Sequence, residues 1–353
     1  MRAHRDDRPP TIHDVAREAG VSLPTVSRVL TGSTPVSEKR RNQVLDAMKR
    51  IGYRPNGAAR ALVQGRQPII GVVTPDVTYG SSEMIRAIER EARRAGYVVS
   101  VTVVDPYDLT RIDTSLDVLL AQPIAGVVVL DFDRYDLKEL TTKLGGVPLS
   151  TISSTNDDEQ RHIVVDDRLA ARTLTEHLLS LGHKTVHHVS FPGPHGRIHP
   201  RELGWRDALT AANAPIPVPV QIAAAVEGER LIDAGRSSVE DLLRDPSLTA
   251  VFCANDQIAF GVSRTLAQRG FIVPDDVSVV GMDDEIIAEY WTPALTTYRL
   301  DFDWAGAAAI RILLQPAGVD GTTVSSTFGI KVRQSTTKPR QGPLPGRTPI
   351  GAH

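Results

Sequence analysis

The stretch Thr11–Leu30, TIHDVAREAGVSLPTVSRVL, decides the fold of the first part of the chain. Thr11 followed by Asp14 is the pattern of a capping box, which predicts the start of a helix. Gly20 can adopt the positive φ that a sharp turn requires. Between them, apolar residues recur at the i, i+3, i+4, i+7 spacing of one helix face, namely Ile12, Val15, Ala16 and Ala19. We therefore expect a short helix followed by a tight turn.

A second helix is predicted directly after this turn. Ser22 can cap its start, and Pro24 is tolerated in the first turn because the amides there have no acceptor within the helix. Val26, Val29 and Leu30 are expected to face the first helix. The outer face is then formed by Leu23, Pro24, Thr25, Ser27 and Arg28. Two helices in this arrangement form a helix-turn-helix, whose second helix lies in the DNA major groove. An amphipathic helical hairpin without DNA function is the alternative.

The distribution of charge favours the DNA-binding alternative. Residues 1–66 contain 13 Lys and Arg against 6 Asp and Glu, a net charge of +7. The remaining residues contain 27 Lys and Arg against 36 Asp and Glu, a net charge of −9. The total charge of −2 therefore conceals a basic head on an acidic body. A basic segment around a helix-turn-helix is what phosphate binding requires.

A third helix and a short connecting segment complete the head. The helix is expected to run from Ser37, its N-cap, to Ile51, with Gly52 as the C-terminal stop. Its inward residues are predicted to be Val44, Leu45, Met48 and Ile51. The segment Tyr53–Leu62, YRPNGAARAL, follows, and its Pro55 ends the third helix. The residues after Pro55 favour a helix of about two turns, which is marginal alone in water. A linker is the alternative.

Length and composition predict a multidomain globular protein of the cytoplasm. The 353 residues exceed what one core usually serves, and 41% of them are hydrophobic. The sequence contains no run of 18 apolar residues, and its first ten residues, MRAHRDDRPP, do not resemble a secretory signal. The single cysteine, Cys253, allows no internal disulfide and fits a reducing compartment. We expect no membrane partner.

From Ile69 onward, short apolar strands alternate with helices. The strand-like runs are IIGVV, VVSVTVV, GVVVLD, VPLSTI, VHHVS, AVFCAN and VSVVGMD. Helices are predicted near 82–95, 110–121, 135–144, 167–181, 200–212, 234–244 and 257–269. Nearly continuous apolar strands are typical of parallel sheets that helices cover on both faces. The expected fold class is an all-α helix-turn-helix head followed by an α/β body.

Polar residues at the strand ends are candidates for ligand contact, because small ligands bind at the carboxyl ends of parallel strands. These residues are Thr74–Tyr79, Ser153, Asn255, Asp256 and Asp283. Arg201 lies at the start of a predicted helix and can direct its guanidinium at hydroxyls or a carboxylate. Structural alternatives exist, since Asp256 is also a good helix N-cap and Asp283 can close a turn.

Motifs along most of the chain are similar to those of one known family. The head carries T-I-x-D-V-A-x-x-A-G-V-S-x-x-T-V-S-R-V-L, then V-S, G-Y-x-P-N and A-x-x-L at Val36–Ser37, Gly52–Asn56 and Ala59–Leu62. The body carries AND, DDVSVVGMDD, LTT and K-V-R-x-S-T at Ala254–Asp256, Asp275–Asp284, Leu295–Thr297 and Lys331–Thr336. From Thr11 to Thr337 the chain resembles the LacI/GalR family of bacterial repressors.

The resemblance implies how the head binds double-stranded operator DNA. Short helices such as Ala58–Leu62 pair across a homodimer in the minor groove, with Leu62 as the wedge that kinks the duplex. Leu23, Pro24 and Arg28 match the positions that face bases. Pro24 departs from the polar residue common there, so recognition at that position would be apolar or through DNA shape. The expected DNA-binding residues are Ser22, Leu23, Pro24, Thr25, Ser27, Arg28, Ser37, Tyr53, Asn56, Ala59 and Leu62.

The resemblance also implies a periplasmic-binding-protein-like body, in which two parallel-sheet lobes close on a small-molecule effector. Arg201, Asn255 and Asp283 match the family's effector contacts. Arg230 stands where many members have an aromatic ring, and Ser153 where many have an aspartate. From these two departures we hypothesise a ligand with some negative charge or a non-sugar polar compound. The expected effector-binding residues are Tyr79, Ser81, Ser153, Arg201, Arg230, Asn255 and Asp283.

These inferences predict four segments. Residues 1–54 form the helix-turn-helix domain, and 55–67 the hinge helix and linker. Residues 68–337 form the effector-binding and dimerisation domain, whose chain passes between the lobes near 165, 296 and 325. Residues 338–353, rich in Pro and Gly, form a flexible tail. The tail lacks the leucine heptads that a coiled coil between dimers would need.

The remaining reactive residues predict neither a metal site nor a cofactor. The histidines His183, His187, His188, His195 and His199 are close in sequence but lack the spacing of metal ligands. His187 and His188 would point to opposite faces of a strand. Cys253 has no evident base, and no nucleophile motif is present, so an enzyme is not expected. A DNA-binding regulator is favoured over an enzyme and over a small-molecule receptor without DNA function.

Overall fold

The computed structural model describes residues 10–31, 36–53, 69–104, 109–122, 124–130, 137–154, 162–193, 197–222, 229–315, 323–324 and 329–342. The chain divides into two compact units, of which the second begins at Ile69.

The described part of the first unit consists of the helices α1 (Ile12–Ala19), α2 (Leu23–Thr31) and α3 (Glu38–Ile51). The capping box is confirmed: the Asp14 amide donates to the Thr11 hydroxyl, and the Thr11 amide donates to the Asp14 carboxylate at 2.9 Å. Gly20 ends α1 with a φ of 66°, as the predicted turn requires.

The core of the first unit is formed by Val15, Val26, Val44 and Ala47, which are fully buried. The prediction that Leu45 faces inward is wrong, because its side chain is 39% exposed. Leu45 lies one residue, about 100° of helix rotation, away from Val44, whereas Ala47 follows Val44 at i+3 and shares its face. Ser37 stands at the N-cap of α3 but makes no capping hydrogen bond with its side chain.

The second unit begins with alternating strands and helices. Its first elements are β1 (Ile69–Thr74), α4 (Tyr79–Arg94), β2 (Val98–Val103), α5 (Leu109–Leu120), β3 (Gly126–Val129), α6 (Leu137–Leu144), β4 (Leu149–Ser153), β5 (His162–Val164), α7 (Asp167–Ser180), β6 (His187–Ser190), α8 (Pro200–Ala211) and β7 (Val220–Gln221). Its later elements are α9 (Glu229–Leu242), β8 (Ala250–Cys253), α10 (Asp256–Gln268), β9 (Ser278–Val280), α11 (Ile286–Tyr290), β10 (Thr297–Arg299), α12 (Phe302–Leu314), β11 (Thr323–Val324) and β12 (Gly329–Lys331).

The first lobe is a parallel sheet whose described strands have the order β11-β5-β4-β3-β1-β2. Both faces of its central strands β1 and β3 are buried. Val72 and Val128 belong to one core with Ile88 of α4, while the neighbouring Val73 packs with Leu116 of α5 on the other face. Successive residues of a strand point to opposite faces, which explains the nearly continuous apolar runs.

The second lobe is a smaller parallel sheet in the order β7-β6-β8-β9 among the described strands. Phe252 of β8 belongs to the core that contains Trp205 of α8 and Leu174 of α7. Its neighbour Val251 belongs to a second core with Val262 of α10. The predicted α-helical head and α/β body with parallel sheets are therefore confirmed.

Several segments pass between the two sheets. β5 belongs to the first sheet and β6 to the second, and after β9 the chain returns to α12, which packs on α4. β10 pairs antiparallel with β12. Ser335 follows β12 in the chain, and its carbonyl accepts from the Val279 amide of β9 at 2.9 Å. The predicted domain bounds remain predictions, and the predicted passage near 325 lies outside the described residues.

The beginning of the predicted flexible tail is held against the second lobe. The Arg340 side chain donates to the carbonyls of Leu248 at 2.9 Å and Asp276 at 3.2 Å. These hydrogen bonds hold the segment around Arg340 in place, although its composition predicts a free tail. A single arginine that donates to carbonyls of the folded domain can anchor a Pro- and Gly-rich segment. Residues 343–353 lie outside the described residues.

Candidate functional site

The outer face of α2 carries the residues predicted to read DNA. Pro24 and Arg28 are exposed, as is Ser22 before the helix, while Leu23, Thr25 and Ser27 are half-buried. The opposite face of α2 is anchored by Val26, which is fully buried, with Val29 and Leu30 packed at the core margin. The Ser22 and Thr25 hydroxyls lie 2.9 Å apart and can exchange a hydrogen bond.

The other predicted DNA-binding residues are distributed differently. Ser37 is exposed at the start of α3, and Tyr53 packs against the core of the first unit. The Tyr53 ring therefore also stabilises the head. Asn56, Ala59 and Leu62, with the predicted hinge helix, lie outside the described residues.

In the second unit, Arg201 is the centre of a buried ion-pair network. His199 caps α8 and Pro200 begins it, which places Arg201 in the first turn beside the start of α7. Its Nε donates to Asp167 Oδ2 at 2.9 Å and its Nη2 donates to Asp283 Oδ1 at 3.1 Å. Nη1 donates to the carbonyl of Ala254. The guanidinium thus joins α7, α8 and the ends of β8 and β9.

Burial and charge act in opposite directions in this network. Burial disfavours the charged guanidinium, but Asp167 and Asp283 outweigh this and raise the pKa of Arg201 above its ordinary value. Burial raises the pKa of Asp283 to about 7, because the attraction of Arg201 offsets only part of it and Asp167 and Glu285 add repulsion. Asp283 also has a φ of 108°, a strained conformation for a residue other than glycine.

Asn255 and Asp256 take roles that the sequence assigned only in part. Asn255 is the N-cap of α10, and its Oδ1 accepts from the Ile258 amide at 2.9 Å. Asp256, for which the N-cap role was the alternative, is instead the first helical residue and fully buried. It accepts from the Thr297 hydroxyl at 2.6 Å and from the Glu285 amide at 2.8 Å. Burial and the nearby Asp283 raise the pKa of Asp256 well above its ordinary value.

The loop before α4 positions Tyr79 and Ser81. The Ser81 hydroxyl donates to Asp76 Oδ1 at 3.1 Å and is 3% exposed, so it stabilises the start of α4. The Tyr79 ring packs edge-on against Phe302, with ring centroids 6.4 Å apart. Burial, assisted by the repulsion of Glu83 and the carboxylates after β9, raises the pKa of Tyr79 to about 12.

A cavity of about 430 Å³ lies beside this network. Its described lining residues are Tyr79, Glu83, Asp283, Asp284, Glu285, Ile286, Glu289, Tyr290, Arg299, Leu300, Asp301, Phe302, Asp303 and Arg333. Of the predicted effector residues, Tyr79 and Asp283 line it directly, and Arg201 is bonded to Asp283. Its described walls carry more carboxylates than arginines, which disfavours a ligand with negative charge, the first of the two hypothesised from the sequence, but not the second, a non-sugar polar compound.

The remaining predicted effector residues are not among the described residues that line this cavity. Ser153 is 4% exposed at the end of β4, and Arg230 is exposed at the start of α9. Sequence reasoning missed Asp167, Asp301 and Phe302. Asp167 directly follows Asp166, the N-cap of α7, so no separate signal in the sequence marks it. Asp301 and Phe302 lie at the start of α12, a helix that was not predicted from the sequence.

The histidines and the cysteine have structural roles in the described part of the chain. His187 contacts Asp245 at 3.0 Å, whereas His188 stacks on Phe252 at the opposite face of β6, as predicted from strand geometry. Burial raises the pKa of the Cys253 thiol well above its ordinary value. No group of three or more His, Cys, Asp or Glu among the described residues could hold a metal ion. His195 lies outside these residues.

Among the described residues, no helix is both long and apolar enough to cross a membrane.

Comparison with known proteins identifies the family. The family model "Bacterial regulatory proteins, lacI family" matches residues 11–56, and a periplasmic binding protein-like domain model matches 175–336. Catabolite control protein A of Priestia megaterium is 32% identical over 335 residues, which cover 92% of this chain and 99% of that protein. The chain belongs to the LacI family. The lactose operon repressor of Escherichia coli K12 is 30% identical over 311 residues, 87% of this chain and 85% of that repressor.

Solved structures of LacI-family proteins have the same fold. The lac repressor dimer bound to operator and the anti-inducer ONPF matches with a TM-score of 0.80 and 28% identity, over 94% of this chain and 100% of that one. A LacI-family regulator from Enterococcus faecium with bound ribose matches with a TM-score of 0.66 and 25% identity, over 77% of this chain and 100% of that one. The predicted family and periplasmic-binding-protein-like body are confirmed. The protein is a DNA-binding transcriptional regulator and not an enzyme, so the two alternative functions are set aside.

Proposed function

We propose that this LacI-family regulator is a homodimeric repressor that binds a near-palindromic double-stranded operator. The observation that carries the proposal is the outer face of α2, where Pro24 and Arg28 are exposed on a helix anchored by the buried Val26. The net charge of +7 over residues 1–66 supports contact with phosphates. The lac repressor, a relative, is solved as a dimer on its operator.

Exposed apolar side chains in the second unit support the proposed pairing of two chains. Val98 and Val103 on the edge strand β2 are 62% and 52% exposed. Val101 on the same strand is 43% exposed. Large apolar side chains that face water in groups are typical of subunit contacts.

The effector is proposed to be a small polar metabolite that binds between the two lobes near Arg201 and Asp283. Its binding would shift the equilibrium between open and closed lobes, with the passages near 165, 296 and 325 as the hinge. A tenfold change in operator affinity needs only about 1.4 kcal/mol of differential binding. The segment 55–67, with Leu62 as its minor-groove wedge, would transmit this change to the head. The site of action is proposed to be nucleoid DNA in the cytoplasm.

Footprinting on the promoter regions near its own gene tests this proposal. We expect the full chain to protect a site with two related halves, and Arg28→Ala to weaken that protection at least tenfold, since a base contact contributes about 1–3 kcal/mol. Leu62→Ala should reduce both affinity and DNA bending. Arg236→Ala, in the body, is the matched control and should protect the same site normally. A wild-type chain that distinguishes no site from random duplex would refute the proposal.

A further inference from the structure

The described wall of the cavity beside Arg201 carries an excess of negative charge. Its acidic residues are Glu83, Asp283, Asp284, Glu285, Glu289, Asp301 and Asp303, and its basic residues are Arg299 and Arg333. Four of the carboxylates have a cation close by. Arg333 contacts Asp284 at 2.6 Å, and Asp283 shares Arg201 with Asp167. Glu83 contacts Arg86 at 2.7 Å and Asp303 contacts Arg90 at 2.8 Å.

The other three carboxylates, Glu285, Glu289 and Asp301, have no ion pair within the described residues. Asp301 is 8% exposed, and its Oδ1 accepts from the Trp304 amide at 2.9 Å, the one hydrogen bond of this carboxylate with a described residue. Burial raises the pKa of Asp301 above its ordinary value, with a smaller contribution from Asp303, and the Trp304 amide and the charge of Arg299 offset only part of this rise. A buried carboxylate whose charge is only partly compensated is costly, and a positively charged ligand would reduce that cost.

Arg201 is not available as a receptor for an anion. Both Nε and Nη2 face the carboxylates of Asp167 and Asp283, and Nη1 donates to the Ala254 carbonyl. Two carboxylates therefore share one guanidinium, and the group as a whole is negative. Asp283 is more than nine-tenths buried, and its Oδ2 makes no hydrogen bond with the described residues although Asp283 lines the cavity. Within the described part of the chain, this oxygen is therefore an acceptor without a donor.

Aromatic rings form another part of the cavity wall. Tyr79 and Phe302 meet edge-to-face, with an interplanar angle of 76°, and Tyr290 lies on the same wall with 73% exposure. The face of an aromatic ring attracts a cation, and this attraction strengthens when the cation is desolvated. Carboxylates beside aromatic rings are suited to an ammonium group and unsuited to a carboxylate or phosphate.

We propose that the effector carries a protonated amine, which Asp283 and Asp301 receive beside the rings of Tyr79 and Phe302. This inference rests on the proposed function, since it assigns the charge of the ligand for the same cleft. It reverses the sign of charge that Arg230 and Ser153 suggested in the sequence.

Calorimetry and thermal shift on the full chain without DNA test the proposal. Two matched sets of probes share one carbon frame each: putrescine, 1,4-butanediol and succinate, and glucosamine, glucose and glucuronate. We expect one molecule of an amine to bind per chain, and the neutral and acidic members of its set to bind at least tenfold more weakly. Added sodium chloride should weaken the binding of the amine, because salt screens the attraction between its charge and the carboxylates.

Asp301→Asn is the test variant, because asparagine keeps the Oδ1 acceptor for the Trp304 amide and removes only the charge. We expect it to weaken amine binding about three- to tenfold, the effect of one charge at close range in a partly shielded site. Asp233→Asn is the matched control, since Asp233 pairs with Arg236 on α9 and its side chain is 69% exposed. The control should bind the amine like the wild type.

The proposal is overturned if a neutral or acidic probe binds as tightly as its amine, if no amine binds, or if Asp301→Asn and Asp233→Asn bind amines equally. These results leave the proposed function standing when the same preparation still protects its operator. Loss of operator protection refutes the proposed function, whatever the amines do.

Discussion

At the scale of single residues, Arg201 shows how burial changes the meaning of a side chain. The sequence presents an arginine at a helix start, which is typical of anion recognition. The structure places it between Asp167 and Asp283, with all three side chains no more than about one-tenth exposed. Its charge is neutralised within the protein, so Arg201 orients Asp283, which lines the cavity.

We predict that Arg201→Ala destabilises the second unit by about 3–5 kcal/mol, because it leaves two buried carboxylates without a cation. Urea unfolding measures the loss. The matched control is Arg236→Ala, whose ion pair with Asp233 is exposed, and it should cost less than about 1 kcal/mol. Equal losses in the two variants would show that the Arg201 network does not hold the lobe together.

A second prediction concerns His188, which is buried between Trp205 and Phe252. Burial lowers its pKa to about 4, although the Phe252 carbonyl acts in the opposite direction. The unfolded chain takes up a proton near pH 6.5 and the folded chain only near pH 4. The stability that neutral His188 contributes is therefore complete above pH 6.5 and is lost as the pH falls to 4, by on the order of 3 kcal/mol.

The measurement is the difference in unfolding free energy between the wild type and His188→Phe, from pH 7 to pH 4. A difference is needed because Asp283, whose pKa is raised, contributes with the opposite sign. His13→Gln, at an exposed position, is the control and should follow the wild-type curve. A His188→Phe curve parallel to that of the wild type would contradict the prediction.

At the scale of elements, α9 and α10 approach each other through glycine. A Cβ on Gly261 would stand 2.0 Å from the Ile232 carbonyl, and one on Gly235 would stand 2.2 Å from the Ile258 carbonyl. Both positions lie inside helices, where glycine is ordinarily unfavourable by about 1 kcal/mol relative to alanine. The close contact of the two backbones explains why glycine is present.

We predict that Gly261→Ala destabilises the second lobe by at least about 1–3 kcal/mol. Helix propensity alone predicts the opposite, a gain in stability. Chemical denaturation gives the sign directly. Gln268→Ala, at an exposed position of the same helix, should change stability by no more than about 0.5 kcal/mol. A stabilised Gly261→Ala would mean that the two helices separate without cost.

The elements that sequence could predict were those with strong local signals. The capping box of Thr11, the left-handed Gly20 and the apolar runs of β1 and β8 each depend on neighbouring residues, and each was found. Leu45 was wrongly predicted to face the core, because it is apolar and directly follows Val44, which does lie on the buried face of α3. The two-residue strand β11 depends on its pairing with β5, about 160 residues earlier in the chain, so no local pattern predicts it.

The candidate site was predictable in part for the same reason. Strand ends and motifs located Tyr79, Arg201 and Asp283, but not the partners that α7 and α12 bring to them. The sign of the charge around the cavity depends on which carboxylates the fold gathers. The hypothesis based on Arg230 and Ser153 therefore differs from the proposal based on the cavity wall, and ligand binding must decide between them.

At the scale of the whole molecule, charge is divided between the head, with a net +7, and the body, with a net −9. We predict that operator affinity falls about 10³-fold or more between 50 and 200 mM salt, because phosphate neutralisation releases counterions. Filter binding or fluorescence anisotropy over this range measures the slope. Arg28→Ala should bind more weakly at every salt concentration. An affinity that does not change with salt would contradict a phosphate-binding head.

Both lobes are completed by residues close to the carboxyl terminus. α12 and β11 belong to the first lobe, and Ser335 hydrogen-bonds to β9 of the second. During translation, the head therefore leaves the ribosome long before either lobe can close its sheet. A premature stop after Leu300 would release a chain with an intact DNA-reading surface and two unfinished lobes. We expect the product of such an allele to lose the pairing of two chains together with the effector site, so it should bind the operator weakly and should not respond to the effector.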